Sequence, residues 1–272
     1  YYKSGTGSGG MVNVSKITGI PDGLLENGVS VNEELLDVYR KWDSENPFDL
    51  GDGWGKEPWS QTEMPLDEAL VAHVSESSHT AIVIIGRTAG EEQDNSLHEG
   101  SYLLTSAEKD MLAKVRRHFP KMIVLLNVGN IIDMNELLSF DPDSVLYVWQ
   151  GGMTGGTGTA DELTGKISPC GKLTDTIAAN VNDYPSAPYF GDPYRNFYSE
   201  DIYVGYRYFE TFARDKVLYP FGFGLSYTTF DIAITGAKQL SDKWDFTVKV
   251  TNTGNYSGKE VVQIYCKAPQ GR

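Results

Sequence analysis

Apolar runs and helical spacings alternate along most of the chain. The continuous apolar run Thr80–Gly86 predicts a strand buried on both faces, and Lys121–Asn127 and residues 144–149 repeat that pattern. Residues 106–119 carry apolar side chains at helical spacing, with Ser106 as the expected N-cap. Further helical patterns cover residues 31–42, 65–77 and 157–164. The alternation predicts an α/β fold, a three-layer αβα sandwich with a mainly parallel sheet.

The periodicity changes near Pro220. Beyond this residue, apolar and polar positions alternate with a period of two in three segments, residues 229–234, 245–252 and 260–265. The pattern predicts part of an antiparallel β-sandwich, because three strands are too few to close one. We therefore expect an α/β sandwich domain over residues 1–222 and an incomplete β-sandwich over residues 223–272.

Composition and charge exclude several classes of protein. The 37 acidic residues outnumber the 23 basic ones and give a net charge of −14, which argues against a nucleic-acid partner. No apolar run reaches the roughly 18 residues of a membrane helix, so we expect no membrane segment. Cys170 and Cys266 form no C-x-x-C pair, which argues against structural zinc and allows a reducing compartment. The localisation stays open, with the cytoplasm slightly favoured. The absence of an initiator methionine at Tyr1 predicts a piece of a longer protein.

One acidic loop follows the first predicted strand, where open α/β sheets bind their ligands. Residues 87–100 contain one histidine and four carboxylates, which belong to Glu91, Glu92, Asp94 and Glu99. Crowding and partial desolvation would raise the pKa of one carboxyl, as a general acid requires. On composition alone, a solvated acidic loop is the favoured interpretation. The spacing fits no EF-hand, and one histidine with glutamates is a poor set of transition-metal ligands, so we expect no metal and no cofactor.

Two further segments have a chemical and a structural interpretation. Trp54 and Trp59 lie in a glycine-rich segment and are candidate platforms for sugar rings, although such aromatic loops more often pack against their own domain. The glycine-rich residues 4–10 lack the lysine of a phosphate-binding P-loop. We interpret them as a tight loop at an inter-domain surface.

Five sequence motifs, in the same order along the chain, point to one family. Residues 90–95 resemble a G-E-G-x-D-R loop, residues 149–156 a W-x-x-G-x-x-G-G turn, and residues 165–173 a G-x-x-N-P-S-G-K-L segment. Residues 200–208 and 220–230 match two more signatures almost letter for letter. The sequence thus resembles the α/β sandwich domain of glycoside hydrolase family three β-glucosidases, followed by the start of their fibronectin type III-like domain.

This resemblance implies a retaining glycosidase that cleaves terminal β-linked glucose from a β-glucoside or short oligosaccharide. The acid/base glutamate of the family maps onto Glu91, and Asp94, Trp54 and Trp59 become candidate substrate-binding residues. The family's nucleophile, an aspartate, lies on a (β/α)8 barrel that this chain lacks. The barrel is therefore the expected partner domain, a homo-oligomer stays open, and we expect the chain alone to be inactive. This chain departs from the motif at two positions, with Glu92 in place of glycine and Asn95 in place of arginine, so a sugar contact of that arginine does not carry over.

Two alternatives remain at the level of the sequence. The first is a carbohydrate-binding or interaction module that keeps the fold without the chemistry, since fold alone does not fix function. A carboxylate at Glu91 favours the enzyme, because a non-catalytic module has no need of it. The second alternative is a β-xylosidase or N-acetylglucosaminidase of the same family.

Overall fold

A computed structural model describes residues 15–53, 55–88, 91 and 93–267. The chain divides into two compact units, with the division between Ala160 and Asp161. The predicted domain boundary after residue 222 stays a prediction. Residues 4–10, interpreted above as a tight loop, lie outside the described residues, and so does Trp54.

The first unit consists of helices and parallel strands. In chain order its elements are α1 (Ile20–Glu26), α2 (Glu33–Glu45), α3 (Glu68–Ser77), β1 (Thr80–Gly86), α4 (Ser106–His118), β2 (Lys121–Asn127), α5 (Met134–Leu138), β3 (Ser144–Tyr147) and α6 (Gly155–Leu163), which continues into the second unit. Helix α4 packs against β1 and β2, so the predicted strand–helix–strand unit is present. Within the described ranges, no helix combines the length and apolar character needed to cross a membrane.

The parallel sheet has β2 at its centre, between β1 and β3. Four side chains of β2 are fully buried, those of Met122, Val124, Leu125 and Leu126. Among the described residues β1 is an edge strand, in which Val83 and Ile85 are buried and the residues between them are partly exposed. The prediction that residues 80–86 are buried on both faces is therefore wrong. An apolar run reports the hydrophobicity of a strand and not the number of its neighbours.

Helix and strand ends differ from prediction where side chains bind the backbone. Helix α4 is capped by Thr105 and not by Ser106: the Thr105 hydroxyl accepts a hydrogen bond from the Glu108 amide, and the Glu108 carboxylate accepts one from the Thr105 amide. Strand β3 ends at Tyr147, two residues early, and Trp149 has a φ of 55°. This left-handed conformation cannot continue a strand.

The second unit is built from short antiparallel pairs. Its strands are β4 (Ile177–Ala178), β5 (Val217–Tyr219), β6 (Phe230–Gln239) and β7 (Trp244–Asn252), and its helices are α7 (Tyr206–Phe212) and the 3-10 turns Val181–Asp183, Ala187–Tyr189 and Arg214–Lys216. Strand β4 pairs with β5, and β6 pairs with β7. A small core surrounds Phe209, which is 1% exposed and meets the Tyr184 ring edge to face at 5.4 Å between centroids.

The hairpin of β6 and β7 confirms the predicted alternation and extends it beyond the predicted length. Apolar side chains such as Ile234 and Trp244 are exposed on it. The third predicted strand, residues 260–265, is not a strand among the described residues, because a strand needs a hydrogen-bonded neighbour and alternation alone does not supply one. The parallel sheet with its helices, together with these antiparallel strands, confirms the predicted fold class.

Candidate functional site

The predicted acidic loop lies at the carboxyl edge of the sheet, between β1 and α4. We call residues 87–105 the β1–α4 loop. Glu91 lies on it half-buried, and Asp94 is exposed. Ala89, Gly90 and Glu92 lie outside the described residues. Glu91 thus lies on the loop that follows β1, and its catalytic role and the sugar-binding role of Asp94 stay predictions.

The base of this loop is closed by a buried ion pair. The Arg87 guanidinium, which is fully buried, meets the Glu108 carboxylate in two hydrogen bonds, of 2.6 Å from Nη1 and 2.9 Å from Nη2. We call Arg87 and Glu108 the carboxyl-edge pair. The two-bond geometry fits the planar fork of arginine, which matches a carboxylate in a way that the point charge of lysine cannot.

Arg87 uses every one of its side-chain donors. Besides the two bonds to Glu108, its Nη1 donates to the Gly86 carbonyl (2.7 Å), its Nε to the Ser101 carbonyl (3.0 Å) and its Nη2 to the Leu103 carbonyl (3.2 Å). A guanidinium has five N–H donors, so none is left without an acceptor. A buried charge is tolerated only when it is paired and hydrogen-bonded in this way.

Both ends of the loop are thereby joined. Gly86 precedes the loop, whereas Ser101 and Leu103 lie where the chain turns into α4. Glu108 belongs to α4 and also accepts from the Thr105 amide, so the pair includes the helix N-terminus as well. Removal of one partner of such a pair costs about 3–5 kcal/mol, because the other charge stays buried alone.

A short polar network holds residues 95–103, which lead from the tip of the loop toward α4 and which we call its descending part. The Ser101 hydroxyl donates to the Asn95 side-chain oxygen (2.7 Å) and accepts from the Ser96 amide (3.1 Å). The Asn95 amide group donates to the Ile131 carbonyl, which follows β2 (3.2 Å). Asn95 stands at the arginine position of the family motif, and here its side chain binds the protein's own backbone.

The segment that contains Trp59 lies against residues 87–93, which follow β1 and which we call the ascending part of the loop. The Thr88 amide donates to the Trp59 carbonyl at 2.9 Å, and the Gln93 side chain donates to the Glu57 carbonyl. Trp59, which is half-buried, is thus brought close to the loop that carries Glu91. Its role as a platform for a sugar ring stays a prediction, and the same prediction for Trp54 concerns a residue outside the described ranges.

The turn after β3 meets the same edge of the sheet. The Gln150 side chain donates to the Arg87 carbonyl at 2.9 Å, and the Asn127 side chain donates to the Trp149 carbonyl at 2.7 Å. The left-handed conformation of Trp149 turns the chain so that the residues following β3 reach the residue following β1. The ends of all three parallel strands are therefore linked by hydrogen bonds around Arg87 and Asn127.

Glu99 has an environment unlike that of a general acid. Its carboxylate lies 3.3 Å from Lys109 Nζ and accepts hydrogen bonds from the backbone and hydroxyl of Ser106. The hydrogen bond from Lys109 is the main reason that the pKa of Glu99 lies below its usual value, with Ser106 as the second. Lys109 also binds Glu136 at 2.9 Å. The raised pKa expected for one carboxyl of this loop therefore does not fall on Glu99, whose carboxylate shares Lys109 with Glu136.

Sequence reasoning missed the carboxyl-edge pair. A signal for half of it was present, since Thr105–Glu108 has the T-x-x-E spacing of a capping box. Its partner lies 21 residues earlier in sequence, and no local pattern connects the two. Within the described ranges, no group of three or more histidine, cysteine, aspartate and glutamate side chains is arranged to hold a metal ion.

Comparison with known families gives one match over most of the chain. The family model described as the glycosyl hydrolase family 3 C-terminal domain matches residues 1–227. A beta-glucosidase from Ruminococcus albus is 62% identical over 269 residues, which are 99% of this chain and 28% of that protein. Beta-glucosidase A from Butyrivibrio fibrisolvens is 38% identical over 317 residues, covering 100% of this chain and 37% of that protein.

Solved structures give the same result. A beta-glucosidase from Paenibacillus barengoltzii superposes with a TM-score of 0.88 at 52% identity, over 95% of this chain and 29% of that one. Beta-glucosidase 3B from Thermotoga neapolitana in complex with glucose superposes with a TM-score of 0.85 at 33% identity, over 100% of this chain and 39% of that one. The chain spans less than two fifths of the length of each of these four proteins.

Proposed function

Because this chain belongs to the glycosyl hydrolase family 3 C-terminal domain family, we propose that it is the acid/base-bearing part of a retaining β-glucosidase. The substrate is a β-glucoside or short oligosaccharide with a terminal β-linked glucose. The observation that carries the proposal is the placement of Glu91, half-buried on a loop whose base is fixed at the carboxyl edge of the sheet. An acid/base group needs this combination of access to substrate and fixed position.

Glu91 acts in both steps of the reaction. In the first step, a nucleophilic carboxylate attacks the anomeric carbon, the glycosidic C–O bond breaks, and Glu91 donates its proton to the departing oxygen. In the second step, the Glu91 carboxylate removes a proton from water, which attacks the anomeric carbon and releases glucose and the nucleophile. Glu91 is then protonated again and ready for the next cycle.

The nucleophile belongs to a (β/α)8 barrel elsewhere in the full-length protein. A retaining mechanism places the two carboxyl groups about 5 Å apart. The described residues form a three-stranded parallel sheet and antiparallel pairs, which offer no barrel. We therefore expect the isolated chain to hydrolyse no aryl β-glucoside, and turnover abolished by mutating one of its own carboxylates would contradict this.

The test is Glu91→Gln in the full-length protein, assayed on a disaccharide and on an aryl β-glucoside with a good leaving group. General acid catalysis contributes about 10²–10⁴-fold, so hydrolysis of the disaccharide falls by that factor. The aryl glucoside needs little protonation, so its glycosylation survives and the covalent intermediate accumulates. The matched control is Glu99→Gln, a substitution of the same size in the same loop.

The outcomes separate the alternatives. If Glu91→Gln is fully active on the disaccharide and Glu99→Gln is inactive, Glu99 is the acid and the assignment of the loop is wrong. If neither substitution changes turnover, the chain is better described as a binding module. Comparison of aryl glucosides, xylosides and N-acetylglucosaminides as substrates decides among the activities within the family.

A further inference from the structure

We propose that the carboxyl-edge pair, Arg87 and Glu108, positions the loop that carries Glu91, so that breaking the pair impairs proton donation. This inference rests on the proposed function of Glu91. Neither side chain is assigned a contact with substrate: the Arg87 side chain is fully buried and that of Glu108 is 5% exposed. Both act through the backbone of the loop and are positioning residues.

The contacts of Arg87 fix the distance between the two ends of the loop. On the ascending side, its Nη1 binds the Gly86 carbonyl and its own amide binds the Asn127 carbonyl at 3.0 Å. On the descending side, its Nε and Nη2 bind the carbonyls of Ser101 and Leu103. A loop closed at its base by one rigid, planar group has less freedom at its tip than a loop closed by packing alone.

The descending side also transmits this constraint toward Glu91. Ser101, whose carbonyl binds Arg87, uses its hydroxyl to bind Asn95 and the Ser96 amide. Asn95 lies four residues from Glu91, and Gln93 between them is held by the Glu57 carbonyl. Displacement of the Ser101 backbone would therefore move the network nearest to the proposed acid. In general, a shift of about 1 Å at a catalytic group can cost 10²-fold in rate.

Stability alone is a poor explanation of the pair. When a buried ion pair is replaced by apolar residues of similar size, the protein is often as stable as before, because the desolvation of the two charges cancels their attraction. An apolar pair cannot bind the carbonyls of Gly86, Ser101 and Leu103, however, and these bonds determine where the loop lies. The pair is thus better explained by its effect on the position of the loop than by a net gain in stability.

The chain contains a matched control at the opposite edge of the sheet. Arg116 binds the Asp143 carboxylate at 2.9 Å and donates to the carbonyls of Asp141, Phe119 and Pro120. It therefore combines the same groups, an arginine, a carboxylate and three carbonyls. We call Arg116 and Asp143 the amino-edge pair, because they lie between the end of α4 and the starts of β2 and β3.

The experiment compares two double variants of the full-length protein, Arg87→Met with Glu108→Leu and Arg116→Met with Asp143→Leu. Each is assayed on a disaccharide and on an aryl glucoside with a good leaving group, at a temperature where circular dichroism shows it folded. In the carboxyl-edge variant we expect kcat/KM for the disaccharide to fall about 10–100-fold, and that for the aryl glucoside less than about threefold. The amino-edge variant should retain both activities.

A selective loss is the readout that a purely structural role would not produce. If the carboxyl-edge variant loses both activities equally, or neither, or if the amino-edge variant shows the same selective loss, the pair has no positioning role. Arg87→Lys provides a second test, because lysine keeps the positive charge but lacks the planar, forked guanidinium. Compared with the carboxyl-edge double variant, Arg87→Lys should recover thermal stability more fully than it recovers disaccharide hydrolysis. Full rescue of that activity would contradict the role of the fork.

Parallel measurement of Glu91→Gln separates this inference from the function on which it rests. If Glu91→Gln shows the leaving-group dependence and the carboxyl-edge variant does not, the positioning role fails and the proposed function stands. If Glu91→Gln itself has no such dependence, the proposed function fails first.

Discussion

Two arginines lie at the two edges of the same parallel sheet and bind the same kinds of group. Arg87 at the carboxyl edge is fully buried and its partner Glu108 is 5% exposed, whereas the side chains of Arg116 and Asp143 at the amino edge are 27% and 45% exposed. This difference in burial implies that the loss of one partner destabilises the protein more at the carboxyl edge than at the amino edge. At the carboxyl edge, water cannot reach the charge that is left when one partner is removed, whereas at the amino edge water can solvate it.

The two edges also differ in the chain that they hold. The amino-edge pair binds the short connection between α4 and β2, whose residues Phe119 and Pro120 offer their carbonyls. The carboxyl-edge pair closes the β1–α4 loop, which carries Glu91. In open α/β sheets, ligands bind beyond the carboxyl ends of the strands, on loops that the rigid sheet positions. Here the more deeply buried pair lies at the edge that carries Glu91.

The largest effect is expected when the buried pair is broken on one side. Arg87→Met should destabilise this domain by about 3–5 kcal/mol, because the Glu108 charge stays buried without a partner. Calorimetry of the full-length protein should show one transition at a lower temperature. Arg116→Met is the control, and its effect should be less than half as large, since water can solvate Asp143. Equal losses from the two substitutions would remove the distinction between the edges.

A smaller effect, dependent on pH, is expected at the amino edge. Hydrogen bonds from the Met122 amide and then from Arg116 hold the pKa of Asp143 below its usual value of 3.8. A carboxyl whose pKa is lowered by folding stabilises the protein above its unfolded pKa, and this contribution is lost as the pH falls through the folded pKa. Asp143→Asn should therefore lower the melting temperature at pH 7 and have a diminishing effect below pH 4. A constant difference across this range would contradict the role of the charge.

The smallest effect is expected for Glu99, the other carboxylate of the β1–α4 loop. Its carboxylate is half-exposed and shares Lys109 with Glu136, so Glu99→Gln should leave kcat/KM for a disaccharide within about twofold of the unmodified enzyme, as expected for a screened pair near the surface. Its pKa lies below the usual value, so its contribution to stability should be lost only at acidic pH. A loss of activity comparable with that of Glu91→Gln would show that the loop has two essential carboxylates.

Local patterns predict the strands of the sheet well where an apolar run and a strand have the same bounds. Continuous apolar runs predict the bounds of β1 and β2, and the loop with Glu91 begins where β1 ends. The same runs did not show that β1 is an edge strand, because the position of a strand in a sheet depends on its neighbours. The end of β3 was predicted two residues late, since Trp149 adopts a left-handed conformation that apolarity does not report.

The candidate site was predictable from sequence only in part. The charges of the β1–α4 loop were visible, but their pairing was not: Glu99 is bound by Lys109 and Arg87 by Glu108, each through contacts made in the folded chain. In the sequence, Arg87 is recognisable only as the residue after a strand. Its importance depends on three carbonyls and a carboxylate that are brought together by folding, and no spacing rule connects them.

The most direct test of the proposed role of Glu91 is azide rescue of Glu91→Gln in the full-length protein, with an aryl β-glucoside as substrate. Glycosylation proceeds without the acid, but water is not activated, so the covalent intermediate should accumulate. Azide needs no general base, and it should displace the nucleophilic carboxylate from the anomeric carbon to give a β-glucosyl azide and a higher turnover. We expect this rescue for Glu91→Gln and none for Glu99→Gln. Rescue of Glu99→Gln instead, with Glu91→Gln unaffected by azide, would show that Glu91 is not the acid/base residue.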